Sequence, residues 1–525
     1  MVLIKMPNWK TQLSAAQNHA HFGQNEQCIA ICNELLKGYS SDKELILKVS
    51  SLFLGYGFLS NARDCLSNGL KLFPADTDLL LVLANAELQL GQTDQCQAIF
   101  ENLLKRFPNE PRVLRNLIYF SEYLPFSNNQ ERLVLARQWA KRAIDDAGGP
   151  HLRPEIKDFS SRKIRIGYVS ADFCQHTVGI LIRNILAKHS QEKFDVFCYS
   201  SGHIQDAITE AIAKHCHLVD VAHLSDSQLT DRIRSDEIDI LIDLSGHTGG
   251  SRLAVFAYRP APVQVSWLGY YATTGLETID AVLLDRWHIH DQIDTQFIEP
   301  IIPLPIGRWC YFPAIDPAPF ITDPPSIQTG YITFGSFNNT LKYNHLVYKL
   351  WSQILLSVPN SRLILKWRTF NDPEFTQSVL DQFHAFGVDP SRIDLRGPSF
   401  HIDMLAQYKE IDIALDPFPF SGGVTSCEAL YMGVPVITWP QERVVSRQTY
   451  AFLSSIGHLE LATQGVEGYV QKAVELAGSL ESLVQYRQSL REEMLTSPLM
   501  QSAPFTKSLE ATLIEVLHHT QHFGS

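Results

Sequence analysis

The sequence predicts a helical repeat domain followed by two α/β domains, and three observations support this prediction. Glycines recur every 34 residues near the start of the chain, at positions 23, 57 and 91. From about residue 160 onward, short apolar runs alternate with stretches of helical periodicity. The proline-rich segment 316–326 divides this alternation into two blocks. A chain of 525 residues is also too long to fold around one compact core, which agrees with three domains.

The repeat is visible in several columns of residues, not only in the glycines. Small residues, leucines and aromatic residues recur at the same spacing, in the columns Cys28, Ala62 and Cys96, then Leu36, Leu70 and Leu104, then Tyr39, Phe73 and Phe107. A period of 34 residues with glycine at the turn is typical of tetratricopeptide repeats. A plain helical bundle is the alternative, which four coincident columns disfavour. We expect this domain over residues 1–150, with a fourth helix pair at 112–145 and a concave surface for a protein partner.

The two later blocks are predicted to be doubly wound α/β domains, at residues 160–318 and 328–515. The first contains the strand candidates "IRIGYVS", "FDVFCYS", "IDILIDLS", "VQVSWLGY" and "AVLLD", and the second contains "YITFGSF", "SRLILKW", "IDLRG", "IDIALD" and "PVITW". Strands that are apolar throughout and separated by helices imply parallel sheets covered on both faces. In such sheets ligands bind beyond the carboxyl ends of the strands, so we expect a ligand in a cleft between the two domains.

Composition and charge exclude several classes of partner. The chain is 45% hydrophobic and 19% charged, with a net charge of −12, which disfavours general binding to nucleic acid or to an anionic membrane. Its nine cysteines include no CxxC pair and suggest thiols in a reducing cytosol. The first residues, "MVLIKMPNWKTQLSAAQ", contain no sustained apolar segment, and the run "LLLVLANAEL" is too short to span a membrane. We therefore expect a cytoplasmic protein without a membrane or nucleic-acid partner.

The segment 416–433, "DPFPFSGGVTSCEALYMG", is the first candidate ligand loop, because it follows a predicted strand and precedes a predicted helix. Gly422 and Gly423 would let the backbone approach a ligand closely and would tolerate a positive φ. Residues 424–426 would present amides and hydroxyls at the start of the helix, where a phosphate is favoured. Glu428, one step into that helix, is placed to accept ribose hydroxyls. A glycine-rich turn without a ligand is the alternative.

Four further loops at predicted strand ends are rich in polar residues: "SADFCQHTVG" (170–179), "DLSGHTGGSR" (243–252), "GYYATTG" (269–275) and "GSFNNTLKYN" (335–344). A buried structural turn needs none of these side chains, so His176 and His247 are candidates for a polar site. Lys342 lies at the predicted start of a helix, where the helix dipole disfavours a cation unless an anion binds nearby. We therefore expect Lys342 to contact a phosphate. The alternative is a solvated surface lysine.

These motifs carry a family resemblance. Residues 162–515 closely resemble the catalytic region of the O-linked N-acetylglucosamine transferases, particularly their bacterial and SPINDLY-like branch. The matching stretches are "IRIGYVSADF", "SGHTGG", "RPAPVQVSWLGY", "FGSFNN", "DPFPFSGG", "TSCEALYMGVPVIT" and "SRQ". They occur in the order of the family, and a tetratricopeptide array precedes them as it does in the family.

The resemblance implies a GT-B fold of two Rossmann-like domains and an inverting transfer of N-acetylglucosamine from UDP-GlcNAc to Ser or Thr hydroxyls of proteins bound through the repeats. It implies no metal and no other cofactor. Lys342 matches the family's lysine that neutralises the leaving diphosphate, and His176 and Asp231 match residues considered for acceptor binding and proton removal. The matching motifs also contain the expected nucleotide-sugar contacts, which are Asn338, Ser421, Gly422, Gly423, Val424, Thr425, Glu428, His247 and Thr274.

Several residues depart from the family pattern and keep other functions open. Thr177 and Tyr271 stand where prolines are usual, and Met404 replaces a histidine expected near the nucleotide base; His401, three residues earlier, could compensate. An O-fucosyltransferase using GDP-fucose or a glucosyltransferase of the same fold is one alternative. A tetratricopeptide scaffold with a silent transferase domain is another. The retained Lys342 and Glu428 disfavour the scaffold, because a silent site has no physical need for them.

Overall fold

The computed structural model describes residues 8–124, 128–315 and 317–523. The expectation of no targeting segment rests partly on residues 1–7, and the predicted domains and hinge include residues 125–127 and 316; these positions lie outside the described residues. The chain divides into two compact units. The first unit contains the residues up to Pro108 together with Ser336–Leu356 and Arg362–Ser399. The second unit contains Asn109–Gly335, Ser357–Ser361 and the residues from Phe400 onward.

Among the described residues, eight helices lie between Trp9 and Asp146, as the repeat predicts, and consecutive helices pack in pairs. The helices are α1 (Trp9–His21), α2 (Asn25–Gly38), α3 (Lys43–Tyr56), α4 (Leu59–Leu72), α5 (Thr77–Gln89), α6 (Thr93–Arg106), α7 (Pro111–Ser121) and α8 (Asn129–Asp146). The pair α7–α8 confirms the fourth helix pair. Asp42 and Asp76 cap α3 and α5, because their carboxylates accept hydrogen bonds from the amides of Leu45 and Leu79.

The repeating glycines occupy the turn between the helices of each pair. Gly23, Gly57 and Gly91 have φ angles of +73°, +83° and +77°. Side chains rarely adopt this left-handed conformation, whereas glycine adopts it without a steric penalty. The spacing seen in the sequence is therefore the spacing of left-handed helix ends.

The first Rossmann-like domain contains a seven-stranded sheet with the order β3-β2-β1-β4-β5-β6-β7 and parallel pairing throughout. Its strands are β1 (Ile164–Ser170), β2 (Phe194–Ser200), β3 (His217–Asp220), β4 (Ile240–Asp243), β5 (Val263–Ser266), β6 (Ala281–Asp285) and β7 (Ile301–Leu304). Helices α9 (Thr177–Leu186), α10 (Ala207–Ala213) and α11 (Asp226–Ser235) connect the first four strands. The five strands predicted from the sequence are all present.

The sequence gives no signal for β3 and β7, which lie at the two edges of this sheet. No residue of β3 is fully buried, so the strand lacks the continuous apolar run that marks a central strand. Strand β7 contains Pro303, which cannot donate a backbone hydrogen bond and is tolerated at a sheet edge. Both strands that hydrophobic patterning misses in this sheet are therefore edge strands.

The second Rossmann-like domain contains the five predicted strands, β8 (Thr333–Ser336), β9 (Arg362–Lys366), β10 (Ile393–Arg396), β11 (Ile413–Leu415) and β12 (Val436–Ile437). Strand β9 pairs in parallel with β10, and β11 pairs in parallel with β8 and with β12. The accompanying helices are α12 (Ser326–Thr329), α13 (His345–Ser357), α14 (Pro373–Ala385), α15 (His401–Gln407), α16 (Val424–Tyr431), α17 (Gln448–Ile456), α18 (Gly465–Ala477), α19 (Leu480–Thr496) and α20 (Ser502–Phe523). None of the described helices is both long enough and apolar enough to cross a membrane.

Candidate active site

The loop after β11 is organised around the buried carboxylate of Asp416. One oxygen, Oδ1, accepts a hydrogen bond of 2.5 Å from the amide of Gly422. The other oxygen, Oδ2, accepts a hydrogen bond of 2.7 Å from the hydroxyl of Thr438. The loop therefore folds back on the residue with which it begins, and this fixes the position at which α16 starts.

Internal packing also disfavours a side chain at the two glycines of this loop. A Cβ atom on Gly422 would lie 2.0 Å from Oγ of Ser426, and one on Gly423 would lie 2.9 Å from the ring of Trp309. Neither glycine has a positive φ, so the tolerance of a positive φ noted from the sequence is not used here, and the close approach of a ligand stays a prediction. The glycines let the loop pack against its own helix and against Trp309.

Helix α16 starts at Val424, as predicted, and its first residues are partly exposed. The N-cap Gly423 has no side chain to cap the helix amides. Ser421, by contrast, uses its hydroxyl inside the protein, donating to the carbonyl of Val445 over 2.8 Å. The helix start therefore presents backbone amides rather than serine hydroxyls, which is the arrangement that favours a phosphate.

Glu428 lies in the fifth position of α16, a full turn into the helix rather than one step, and it is paired with His401. Nε2 of His401 lies 2.9 Å from Oε1 of Glu428, whose side chain is 3% exposed. Burial raises the pKa of Glu428, and the contact with Glu428 raises the pKa of His401. Oε2 of Glu428 is buried and has no hydrogen-bond partner among the described residues. One carboxylate oxygen is thus available for a hydroxyl donor.

His401 and Met404 lie in different surroundings on α15. Met404 is partly exposed, whereas His401 is the first residue of the helix and contacts Glu428. The suggestion that His401 compensates for the absent histidine at position 404 stays a prediction.

Lys342 is buried in the first unit, which contradicts the alternative of a solvated surface lysine. It ends a 3-10 turn at Thr340–Lys342, three residues before α13 begins, and only 9% of the residue is exposed. Its Nζ atom donates to Oδ1 of Asn338 over 3.2 Å. The expected contact residues Asn338 and Lys342 are thus brought together. A lysine that is taken out of water needs hydrogen-bond acceptors or a counter-charge.

The polar loops of the first Rossmann-like domain bond mainly to one another. Nε2 of His247 lies 2.9 Å from the carbonyl of Thr274, and the hydroxyl and amide of Thr274 both donate to Glu299. Burial lowers the pKa of His247 to about 3, so this histidine is neutral at ordinary pH. His247 and Thr274, which the sequence places in one site, are in contact. The structure adds Glu299, which accepts the hydrogen bonds of Thr274.

The two residues considered for proton removal lie in different surroundings. His176 caps α9, where its Nδ1 atom accepts from the amide of Val178 and lies 3.6 Å from Asp172; half of its side chain is exposed. Asp231 lies on α11 with 74% of its side chain exposed, 4.0 Å from Arg234. These surroundings favour an ordinary solvated carboxylate for Asp231, and both roles stay predictions.

Sequence reasoning missed Asp416, Trp309 and Thr449. Thr449 donates to the carbonyl of Gly422 over 3.2 Å and to the hydroxyl of Ser426 over 2.9 Å. Asp416 could have been found, because a carboxylate directly after a buried strand is unusual. The other two are far away in sequence and carry no local signal. Within the described part of the chain, no cluster of three or more His, Cys, Asp or Glu residues is arranged to hold a metal ion.

Two parallel-sheet Rossmann-like domains after a tetratricopeptide array, with a polar loop leading into a helix start, define the architecture of a GT-B glycosyltransferase. The chain belongs to glycosyl transferase family 41, whose profile matches residues 125–306 and 326–509. A tetratricopeptide profile matches residues 56–117.

Relatives and a solved structure agree with this assignment. A Petunia hybrida protein named as a probable UDP-N-acetylglucosamine–peptide N-acetylglucosaminyltransferase SPINDLY is 34% identical over 78% of this chain. The Arabidopsis thaliana protein SEC, named as a probable enzyme of the same activity, is 30% identical over 70% of it. The chain spans only 44% and 39% of these relatives. A lysine-to-methionine mutant of Thermobaculum terrenum O-GlcNAc transferase matches with a TM-score of 0.89 at 29% identity, covering 99% of this chain and 100% of the other.

Proposed function

We propose that this protein is an inverting, metal-independent glycosyltransferase that moves N-acetylglucosamine from UDP-GlcNAc to Ser or Thr hydroxyls of proteins. The observation that carries the proposal is Glu428, a buried carboxylate in the helix after β11 whose Oε2 atom has no partner among the described residues. A ribose hydroxyl would satisfy that oxygen, and a charge-assisted hydrogen bond of this kind is among the stronger ones in proteins. The names of the relatives and the full-length similarity to an O-GlcNAc transferase support the choice of donor.

Lys342 and the start of α16 are proposed to act on the diphosphate. In the reaction, the acceptor hydroxyl oxygen bonds to the anomeric carbon from the face opposite the leaving group. The bond from that carbon to the phosphate oxygen breaks, and UDP leaves with the electron pair. The negative charge that develops on UDP is stabilised by the ammonium of Lys342 and by the amides of Gly423, Val424 and Thr425. Fixed charges and dipoles of this kind can replace the divalent metal of other transferases.

We assign the remaining expected residues to positioning the lysine, shaping the site and accepting the proton. Asn338 holds the ammonium of Lys342 through the hydrogen bond of 3.2 Å, while His247 and Thr274 shape the protein next to the donor sugar. His176 is the preferred residue for the acceptor proton, because its imidazole is half exposed and lies 3.6 Å from Asp172. We further propose that protein acceptors bind through the repeats and that the enzyme acts in the cytoplasm.

A donor panel tests the proposal. Calorimetric titration of the purified protein with UDP and GDP, followed by turnover assays with UDP-GlcNAc, UDP-glucose and GDP-fucose, should show UDP binding and turnover of UDP-GlcNAc only. The same turnover should persist in excess EDTA. Turnover of GDP-fucose would identify an O-fucosyltransferase instead, and the absence of any nucleotide binding would indicate a silent scaffold. Activity that EDTA removes and Mn²⁺ restores would contradict metal independence.

A further inference from the structure

The end of α3 in the repeat array is in close contact with a turn of the second Rossmann-like domain, residues 368–372. A Cβ atom on Gly57 would lie 2.1 Å from the carbonyl oxygen of Arg368 and 2.9 Å from the amide nitrogen of Thr369. The side-chain amide of Asn371 donates to the carbonyl of Tyr56 over 3.0 Å. Backbone therefore packs directly on backbone at this point, and only glycine fits at position 57.

The next residues of the array extend this contact. The amide and the hydroxyl of Ser60 both donate to Oδ2 of Asp372, each over 2.7 Å. Asp372 is almost fully buried and also caps α14, accepting at Oδ1 from the amide of Phe375. A carboxylate that is held at both oxygens in this way has little freedom to move. The array thus fixes both ends of the 368–372 turn.

The same turn is joined to the segment that carries Lys342. The hydroxyls of Thr369 and Thr340 are 2.8 Å apart, and both residues are buried. Thr340 is the first residue of the 3-10 turn that ends at Lys342. A short path of direct contacts therefore leads from Gly57 and Ser60, through the 368–372 turn, to the turn of the lysine. All of these residues belong to the first unit.

We infer that the repeat array positions Lys342 for the reaction by holding the 368–372 turn, which in turn holds Thr340 through Thr369. The inference rests on the role proposed above for Lys342. It assigns positioning roles to Gly57, Ser60 and Thr369, which contact neither donor nor acceptor in the proposal. The array is then part of the machinery that acts on the donor, in addition to any contact it makes with a protein acceptor.

The repeat supplies matched controls for this inference. Gly23, Gly57 and Gly91 occupy the same position of the repeat and all have a positive φ. A Cβ atom on Gly23 or Gly91 would meet nothing within 4 Å, whereas one on Gly57 would overlap Arg368. Alanine at each position introduces the same left-handed strain. Only at position 57 does it also displace the 368–372 turn.

The experiment measures the hydrolysis of UDP-GlcNAc in the absence of a protein acceptor, so that contacts between the repeats and an acceptor do not contribute. Water supplies the oxygen that bonds to the anomeric carbon, and UDP leaves. Gly57→Ala should lower kcat roughly tenfold or more, because displacements of about 1 Å are known to produce losses up to a hundredfold. Gly91→Ala should lower the melting temperature but leave kcat and KM unchanged. Equal kcat values in the two variants would overturn the inference.

Two threonine variants keep the inference testable if Gly57→Ala does not fold. Thr369→Val and Thr340→Val each remove one hydroxyl at nearly constant volume, and each should lower kcat several-fold with KM for the donor little changed. Because both act through one hydrogen bond, the double variant should be no slower than the slower single variant. Independent, multiplying losses, or losses in melting temperature alone, would show that the threonines are merely structural.

Lys342→Met separates a failure of this inference from a failure of the proposed function. If Lys342→Met abolishes hydrolysis while the glycine and threonine variants resemble their controls, the lysine is catalytic and its positioning by the array is wrong. If Lys342→Met hydrolyses the donor at the normal rate, the proposed role of the lysine is itself wrong.

Discussion

The loops after β4 and β5 and the loop after β11 have a similar polar composition, but they use their polar atoms differently. In the first set, the hydroxyl and amide of Thr274 are bonded to Glu299, and His247 contacts the carbonyl of Thr274. In the loop after β11, Asp416 organises the backbone, while Oε2 of Glu428 has no partner among the described residues. The first set bonds largely within itself, although Nδ1 of His247 and the hydroxyl of Tyr270 have no hydrogen-bond partner among the described residues. The second leaves an oxygen of a carboxylate, which is a stronger acceptor, without a partner.

This difference shows why polar residues at a strand end do not by themselves indicate a ligand site. A buried polar group is stable when it is hydrogen-bonded, and protein and ligand can both supply the partner. The sequence reveals that polar residues are present, but it does not reveal which partners they find. A buried group that lacks a partner within the protein is a candidate for a ligand contact, and a buried charged group is the stronger candidate because leaving it unsatisfied costs more.

Lys342→Met is expected to have the largest effect on catalysis. Removing one preorganised charge from a transition state raises the barrier by roughly 3–4 kcal/mol, which corresponds to a fall of about 10²–10³ in kcat. The measurement is the rate of UDP release from UDP-GlcNAc, together with the melting temperature. The exposed Lys349 on α13 provides the control, and Lys349→Met should retain full activity. A Lys342→Met enzyme within threefold of the wild-type rate would exclude the lysine from the mechanism.

Among substitutions in the network of His247, Thr274 and Glu299, Glu299→Ala should lower the free energy of unfolding most. The substitution leaves the buried hydroxyls of Thr273 and Thr274 without their acceptor. Unsatisfied buried donors cost about 1–3 kcal/mol each, so the free energy of unfolding should fall by about 3 kcal/mol. Denaturant unfolding measures this change, and calorimetry with UDP should give an unchanged affinity for the folded protein. A lost affinity with normal stability would mean that Glu299 and Thr274 belong to the donor site.

Much of the fold is predictable from the sequence, because periodicity directly reflects packing. The 34-residue spacing predicts the helix pairs, and all ten strands marked by continuous apolar runs are present. The two missed strands, β3 and β7, lie at sheet edges, where burial on both faces is not required. Patterning therefore misses two edge strands of the first sheet, although it predicts β10 and β12, which lie at the edges of the second sheet.

The candidate site is only partly predictable, because its contacts join residues that are distant in sequence. Gly422 and Gly423 are identified from the sequence as positions of close approach, but the sequence does not reveal that Ser426 and Trp309 pack against them. The pairing of His401 with Glu428 likewise depends on how α15 packs against α16. Spacing along the chain carries no information about such contacts.

Glu428→Ala tests the unsatisfied acceptor after β11. It should weaken UDP binding by roughly 1.5–3 kcal/mol, the value of a hydrogen bond to a charged group. Calorimetry measures the affinity for UDP. Thermal unfolding shows whether the variant is otherwise folded, so that a lower affinity reflects the missing contact and not a loss of structure. Gly422→Val does not serve this purpose, because its side chain would strike Ser426 and disturb the fold.

A second carboxylate that is paired with a histidine supplies the control for Glu428. Glu493 lies 2.6 Å from Nε2 of His458, in a contact between α19 and the segment after α17. Glu493→Ala should change the melting temperature and leave UDP affinity intact. Equal affinities for UDP in the Glu428→Ala variant and the wild-type protein would mean that the buried oxygen has no ligand, and the contrast between the two loops would then be wrong.

The smallest expected effect concerns His247, in the network with Thr274 and Glu299, and the fall in the free energy of unfolding at acid pH. Burial lowers the pKa of His247 to about 3, below the value of about 6.5 in an unfolded chain. As the pH falls below 6.5, the unfolded chain therefore takes up a proton that the folded protein refuses, and stability falls by about 2 kcal/mol by pH 5. His247→Phe keeps the packing against Trp139 and Tyr270. Measured by denaturant unfolding from pH 7 to 5, this variant should lose most of the pH dependence of its stability. The exposed His217 provides the control, and His217→Gln should keep the pH dependence of the wild-type protein. An unchanged slope in His247→Phe would show that His247 is protonated in the folded protein, as a histidine open to solvent or ligand would be.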